Sequence, residues 1–79
     1  MFLAWIISSG LGTVRCLAQL SDGRVVSGSA DNTLKVWNIT TGVCELTLTG
    51  HIDDVHCLAQ LSDGRVVSGS DDSTLKVWK

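Results

Sequence analysis

The chain has 79 residues, 44% of them hydrophobic, and its six basic and eight acidic side chains leave a formal net charge of −2. At this length it is at most one small domain, and such domains bury only about 60% of the surface their unfolded chain exposes. No basic run supplies the concentrated positive footprint of a nucleic-acid binder, so that partner class is excluded.

The opening MFLAWIIS is apolar but far too short to span a bilayer. It lacks the positive flank of a secretion signal and is predicted to be a buried strand, with no membrane partner. Three cysteines, Cys16, Cys44 and Cys57, form no CxxC pair. They read as small buried hydrophobes, and free thiols suit a reducing, intracellular compartment, the cytoplasm with the nucleus left open.

The fourteen residues CLAQLSDGRVVSGS stand at 16–29 and again at 57–70. Offset by 41, positions 16–38 align with 57–79, and three pairs differ: Ala30/Asp71, Asn32/Ser73 and Asn38/Lys79. A fixed period of this size is the mark of a stack of supersecondary units. Each unit reads as short strands. In the second copy Val55, Cys57, Ala59 and Leu61 alternate with His56, Leu58 and Gln60, and both sets carry apolar members. That predicts an inner strand covered on both faces. Asp63-Gly64 marks a hairpin, 66–70 is the next strand, and Gly69 leaves room for a close neighbour. The chain turns at 71–73 and returns through 74–78.

Between the copies, 40–42 turns the chain and 43–49 is an edge strand. Its alternation places Cys44, Leu46 and Leu48 inward and Glu45, Thr47 and Thr49 outward. No stretch has a helical period and the chain has no proline. The fold class is all-β.

Gly50-His51, then Ser68-Gly69-Ser70 and Asp72, then Trp78 in LKVW resemble, at this spacing and period, the WD repeat of β-propellers. The resemblance covers 14–79. The Trp-Asp that closes the motif is Trp37-Asn38 in one copy and Trp78-Lys79 in the other, and the first copy has Ser9-Gly10 in place of Gly-His. The resemblance implies two four-stranded antiparallel blades of an incomplete propeller spanning 1–79. Residues 1–12 would be a degenerate outer strand, 13–49 the first blade, and 50–79 a second blade lacking its outer strand.

The resemblance also assigns His51, Ser68, Asp72 and Trp78 to a buried structural hydrogen-bond chain, of which the first copy keeps Ser27, Asp31 and Trp37. His51, Ser68 and Asp72 have the residue types of a serine hydrolase, but no GxSxG elbow accompanies them, and mutual hydrogen bonding explains them as structure. A zinc site of His51, His56 and Cys57 fails because alternation separates His56 from Cys57. Neither an enzyme, a metal nor a cofactor is expected.

Similarity to WD-repeat proteins implies a protein-interaction scaffold or adaptor, a role that in this family includes substrate receptors of ubiquitin ligases and signalling scaffolds. Two repeats do not close a ring of four to eight blades. The alternatives are a piece of a longer array, a truncated product without independent activity, or a head-to-tail homo-oligomer. For the last, Leu3, Trp5 and Ile7 fall on Cys44, Leu46 and Leu48 at the offset of 41 and would complete a neighbour's second blade.

In the implied arrangement the loops 11–13, 30–32, 52–54 and 71–73 share one face. Ile52, Asp53, Asp54 and Asp71 there form a candidate surface for a basic or arginine-bearing peptide, although Asp also favours turns for local reasons. The opposite loops, 21–24, 40–42 and 62–65, balance their charges.

Overall fold

The computed structural model describes residues 12–78, which form two antiparallel sheets. Strands β1 (Val14–Gln19), β2 (Val25–Ser29), β3 (Leu34–Asn38) and β4 (Val43–Leu48) lie side by side in chain order. Strands β5 (Val55–Gln60), β6 (Val66–Ser70) and β7 (Leu75–Trp78) make the second sheet in the same order. The expected pairing of residues 1–11 with a neighbouring blade lies outside the described residues.

Identical sequences make identical turns. In the β1–β2 and β5–β6 hairpins the amides of Gly23 and Gly64 donate to the carbonyls of Leu20 and Leu61, both at 3.0 Å. These glycines have φ of 92° and 90°, so each hairpin is a four-residue turn closed by a left-handed glycine. Asp22 and Asp63 lock the corner by accepting from the amide and Nε of Arg24 and Arg65, at 2.7–3.1 Å.

The core lies between the sheets. Val26, Leu34 and Val36 of the first sheet meet Val55 and Val66 of the second, with Cys16, Leu48, Leu58 and Trp78 packed around them. Val55 and Leu34 are wholly buried. The close approach forecast at Gly69 is made by its copy Gly28. A Cβ there would stand 2.6 Å from Val55 Cγ1.

Three expectations need correction. The strand β5 is not covered on both faces: Val55 is buried, while Cys57 and Ala59 are exposed. Only the face of β5 turned to β1 and β2 has a neighbour among the described residues. Cys57 is consequently no buried hydrophobe, and its copy Cys16, beneath Val55, is half-buried.

Nor do Cys44, Leu46 and Leu48 share a face. Val36 pairs with Leu46 but Trp37 with Cys44, so Glu45 is an extra residue in β4. The bulge reverses the alternation at that point. Cys44 lands beside Thr47, with Sγ 3.8 Å from its hydroxyl, while Leu46 is left 52% exposed.

Candidate functional site

The segment entering β5 and the β6–β7 turn meet around His51, whose side chain is fully buried. Its Nδ1 lies 2.8 Å from Asp72 Oδ2 and its Nε2 2.6 Å from Ser68 Oγ. The indole N–H of Trp78 donates to the same Ser68 oxygen at 2.8 Å. With the imidazole proton on Nδ1, every donor has an acceptor: Trp78 gives to Ser68, Ser68 to His51, and His51 to the Asp72 carboxylate. The edge of the Trp78 ring system also faces the imidazole, with centroids 6.2 Å apart.

Asp72 is the anchor. It accepts from the Thr74 hydroxyl and amide through Oδ1, at 2.5 and 2.9 Å, and from the Ile52 amide through Oδ2 at 3.1 Å. The Thr74 hydroxyl, with help from His51 and the two amides, outweighs burial and holds this carboxyl well below its ordinary range.

In the first sheet Trp37 donates to Ser27 at 2.9 Å, and Ser27 is buried. Among the described residues Asp31 bonds within its own turn, to the Thr33 amide and hydroxyl, while its amide donates to Ser29. Burial opposes ionisation of Asp31, yet the bonds from Thr33 and Ser29 and the charge of Lys35 still lower its carboxyl. The histidine position of this copy is Gly10 in the sequence and lies outside the described residues.

Ser68, His51 and Asp72 have the distances of a catalytic triad. The serine has no exposed surface at all, and its oxygen is already bonded to both Trp78 and His51. A nucleophile must reach an acyl carbon and have oxyanion donors beside it. Here the attacking position is filled by protein.

The loop face is assembled by backbone. The Asp71 amide donates to the Asp54 carbonyl at 3.0 Å, and Ser70 Oγ to the Asp53 carbonyl at 3.0 Å. Ile52 stands out at 82% exposure. Arg15 reaches across from the first sheet to Asp54 Oδ2 at 3.0 Å. His56 Nε2 sits 2.5 Å from Asp71 Oδ1. Asp53 turns its carboxylate onto the Asp54 amide.

Asp54, His56 and Asp71 thus bring one ligand atom each within 4.8 Å of one another. This is not the trio weighed from the sequence. Cys57 pairs with Gly69 and Val55 with Ser70, which leaves His56 as a bulged residue, swung to the loop end. Arg15 and His56 already satisfy the two carboxylates. At the other end of the sheets Asp22, Arg24, Asn38 and Ile39 border a depression of about 210 Å³.

Sequence reasoning missed Thr74, Ser70 and Arg15. A threonine two residues after an aspartate in a turn was a readable signal, since it lets the hydroxyl cap that aspartate. The Arg15 contact had none, because it exists only once the sheets are stacked.

A family model described as WD domain, G-beta repeat matches residues 4–38 and 42–79. The chain is 58% identical over 38 residues to F-box/WD repeat-containing protein 7 of Drosophila melanogaster, covering 48% of this chain and 3% of that protein. It is 40% identical over 52 residues to the pre-mRNA-splicing factor PRP46 of Saccharomyces cerevisiae, covering 63% and 12%. Among solved structures, the WD40 β-propeller domain of Doa1 superposes with a TM-score of 0.77 at 23% identity, covering 81% of this chain and 22% of that one. The chain therefore spans a small share of each relative's length. With two matched repeats and the fold of a propeller segment, the chain belongs to the WD domain, G-beta repeat family.

Proposed function

We propose that the chain is a non-catalytic protein-interaction scaffold whose loop face takes a basic, arginine-bearing peptide segment. One observation carries the reading. The acidic loops already hold an arginine, since Arg15 places its guanidinium 3.0 Å from Asp54. Arg15 is half-exposed, so an incoming guanidinium competes with it at little cost in desolvation. Asp53 and Asp71 widen the acidic rim, and exposed Ile52 offers an apolar contact beside it. The relatives support a scaffold in a general way: one is named a splicing factor and the other an F-box/WD protein, so the shared repeat serves unlike roles. The proposed setting is intracellular, where the free thiols of Cys16, Cys44 and Cys57 stay reduced.

Fluorescence anisotropy with a labelled arginine-rich peptide tests this, with a glutamate-rich peptide as control. Binding should weaken as salt rises from about 0.01 M to about 0.15 M, as the screening length falls from roughly 30 Å to about 8 Å. Changing Asp53, Asp54 and Asp71 together to Asn should remove most of that dependence and leave the fold intact. A peptide that binds equally to both proteins at every salt concentration places the site elsewhere.

A further inference from the structure

The two sheets meet through unlike faces. The first contributes Cys16, Val26, Leu34 and Val36; the second contributes Val55, Leu58, Val66 and Trp78. Each set has a letter-for-letter copy elsewhere in the chain. Offset by 41, the first set becomes Cys57, Val67, Leu75 and Val77, and the second becomes Val14, Leu17, Val25 and Trp37.

The copies of the first set form an open face. Leu75 is 74% exposed where Leu34 is wholly buried, and Val77 is 54% exposed where Val36 is buried. In the second set Val14 is 43% exposed against a wholly buried Val55 and Leu17 is 64% exposed, while Trp37 is buried within its own sheet, at 9% exposure. Even the docking notch is repeated. Gly28 leaves room beside Cys16 for Val55, and Gly69 leaves the same room beside Cys57, with no Val within reach among the described residues. An apolar face of this kind on a small protein marks an interaction site.

We propose that the occupant of this face is a second copy of the chain, seating Val14 against Gly69 and Cys57 as Val55 is seated against Gly28 and Cys16. The chain carries both halves of an interface whose fit it already demonstrates internally, and its open halves lie on different sheets. The contact is heterologous, so it repeats from copy to copy and ends in a ring or a fibre. It rests on the reading of the chain as a repeat-built interaction module and adds the partner.

Two blocking variants test it: Val14→Glu on one face and Leu75→Glu on the other, both at exposed positions, with circular dichroism confirming that each keeps its strand signal. Analytical ultracentrifugation should show the wild type as oligomers, each variant alone as a monomer, and their mixture as a one-to-one dimer, because each supplies the face the other lacks. A wild type that stays monomeric at about 100 μM, about a hundredfold above a contact of about 1 μM affinity, overturns the proposal. So does assembly that survives either substitution, and so does a mixture that remains monomeric. Peptide binding measured on the Val14→Glu, Leu75→Glu double variant separates this result from the fate of the acidic-loop reading, since that protein cannot stack.

Discussion

Val55 Cγ1 occupies the space a side chain at Gly28 would need, 2.6 Å from the position of its Cβ. The valine is wholly buried and Gly28 lies in a hydrogen-bonded strand, so neither backs away. Gly28→Ala should cost about 1–3 kcal/mol, the range for overpacking a filled core. Gly69→Ala, measured in dilute protein, should cost less than about 1 kcal/mol. There the added methyl meets the Sγ of exposed Cys57 at 2.7 Å, and that thiol can turn outward. Urea titrations of the two variants decide the point; equal losses mean Val55 is not the wedge between the sheets.

Ser68 accepts one hydrogen bond and shares a second with His51, whereas Ser27 has Trp37 as its one side-chain partner among the described residues. Removing the hydroxyl of Ser68 strands two polar groups, and a buried unsatisfied group costs about 1–3 kcal/mol. Ser68→Ala should therefore lose about 2–4 kcal/mol and Ser27→Ala about 1–2 kcal/mol. Thermal melts of the two should differ by several degrees, with Ser68→Ala lower.

Asp72 joins the β6–β7 turn to His51 and Ile52 ahead of β5, while the bonds of Asp31 among the described residues stay within its own turn. Asp72→Ala should lower the melting temperature clearly more than Asp31→Ala. Losses of the same size would sink the assignment of Asp72 as the anchor.

The same carboxylate sets the acid limit. Folding lowers the pKa of Asp72, and Asp22, Asp31 and Asp63 shift the same way. Stability from a depressed carboxyl is complete above the unfolded value of about 3.9 and drains away as pH falls through the folded one. The wild-type melting temperature should hold near pH 6 and fall steadily below about pH 4. Asp72→Ala should flatten that fall; an unchanged slope would assign the acid sensitivity to other groups.

Asn32 and Ser73 hold matching left-handed positions in their turns, with φ of 75° and 71°. Asn tolerates that region better than Ser does. Ser73→Asn, which writes the first repeat's residue into the second, should raise stability by about 0.5 kcal/mol, and a β-branched Val there should lower it by more than about 1 kcal/mol. Denaturant midpoints measure both.

The strands were legible because alternation, Asp-Gly corners and the 41-residue offset all agree locally. The resemblance grouped His51, Ser68, Asp72 and Trp78, and the second sheet joins these four by hydrogen bonds, whereas in the first Trp37 meets Ser27 and Asp31 is bonded to Thr33. What escaped was set by one-residue irregularities and by stacking. The extra Glu45 in β4 moved Cys44 to the other face, and the bulge at His56 carried it to Asp71. Neither bulge has a glycine or proline to announce it. Equal sequence also misled: Cys16 and Cys57 are the same letter in the same strand, and only the neighbour above one of them makes them differ.

Copying a strand word for word has a kinetic consequence. The sequence of β2 is repeated in β6, so β1 finds two chemically equivalent partners. Only loop entropy discriminates between them. Five residues separate β1 from β2 and forty-six separate it from β6, roughly three doublings, worth about 2 kcal/mol. That margin secures the native hairpin in dilute solution. In concentrated refolding the equivalent strand of another molecule competes without any tether, so exchanged pairs should accumulate and the yield of native chain should fall with protein concentration.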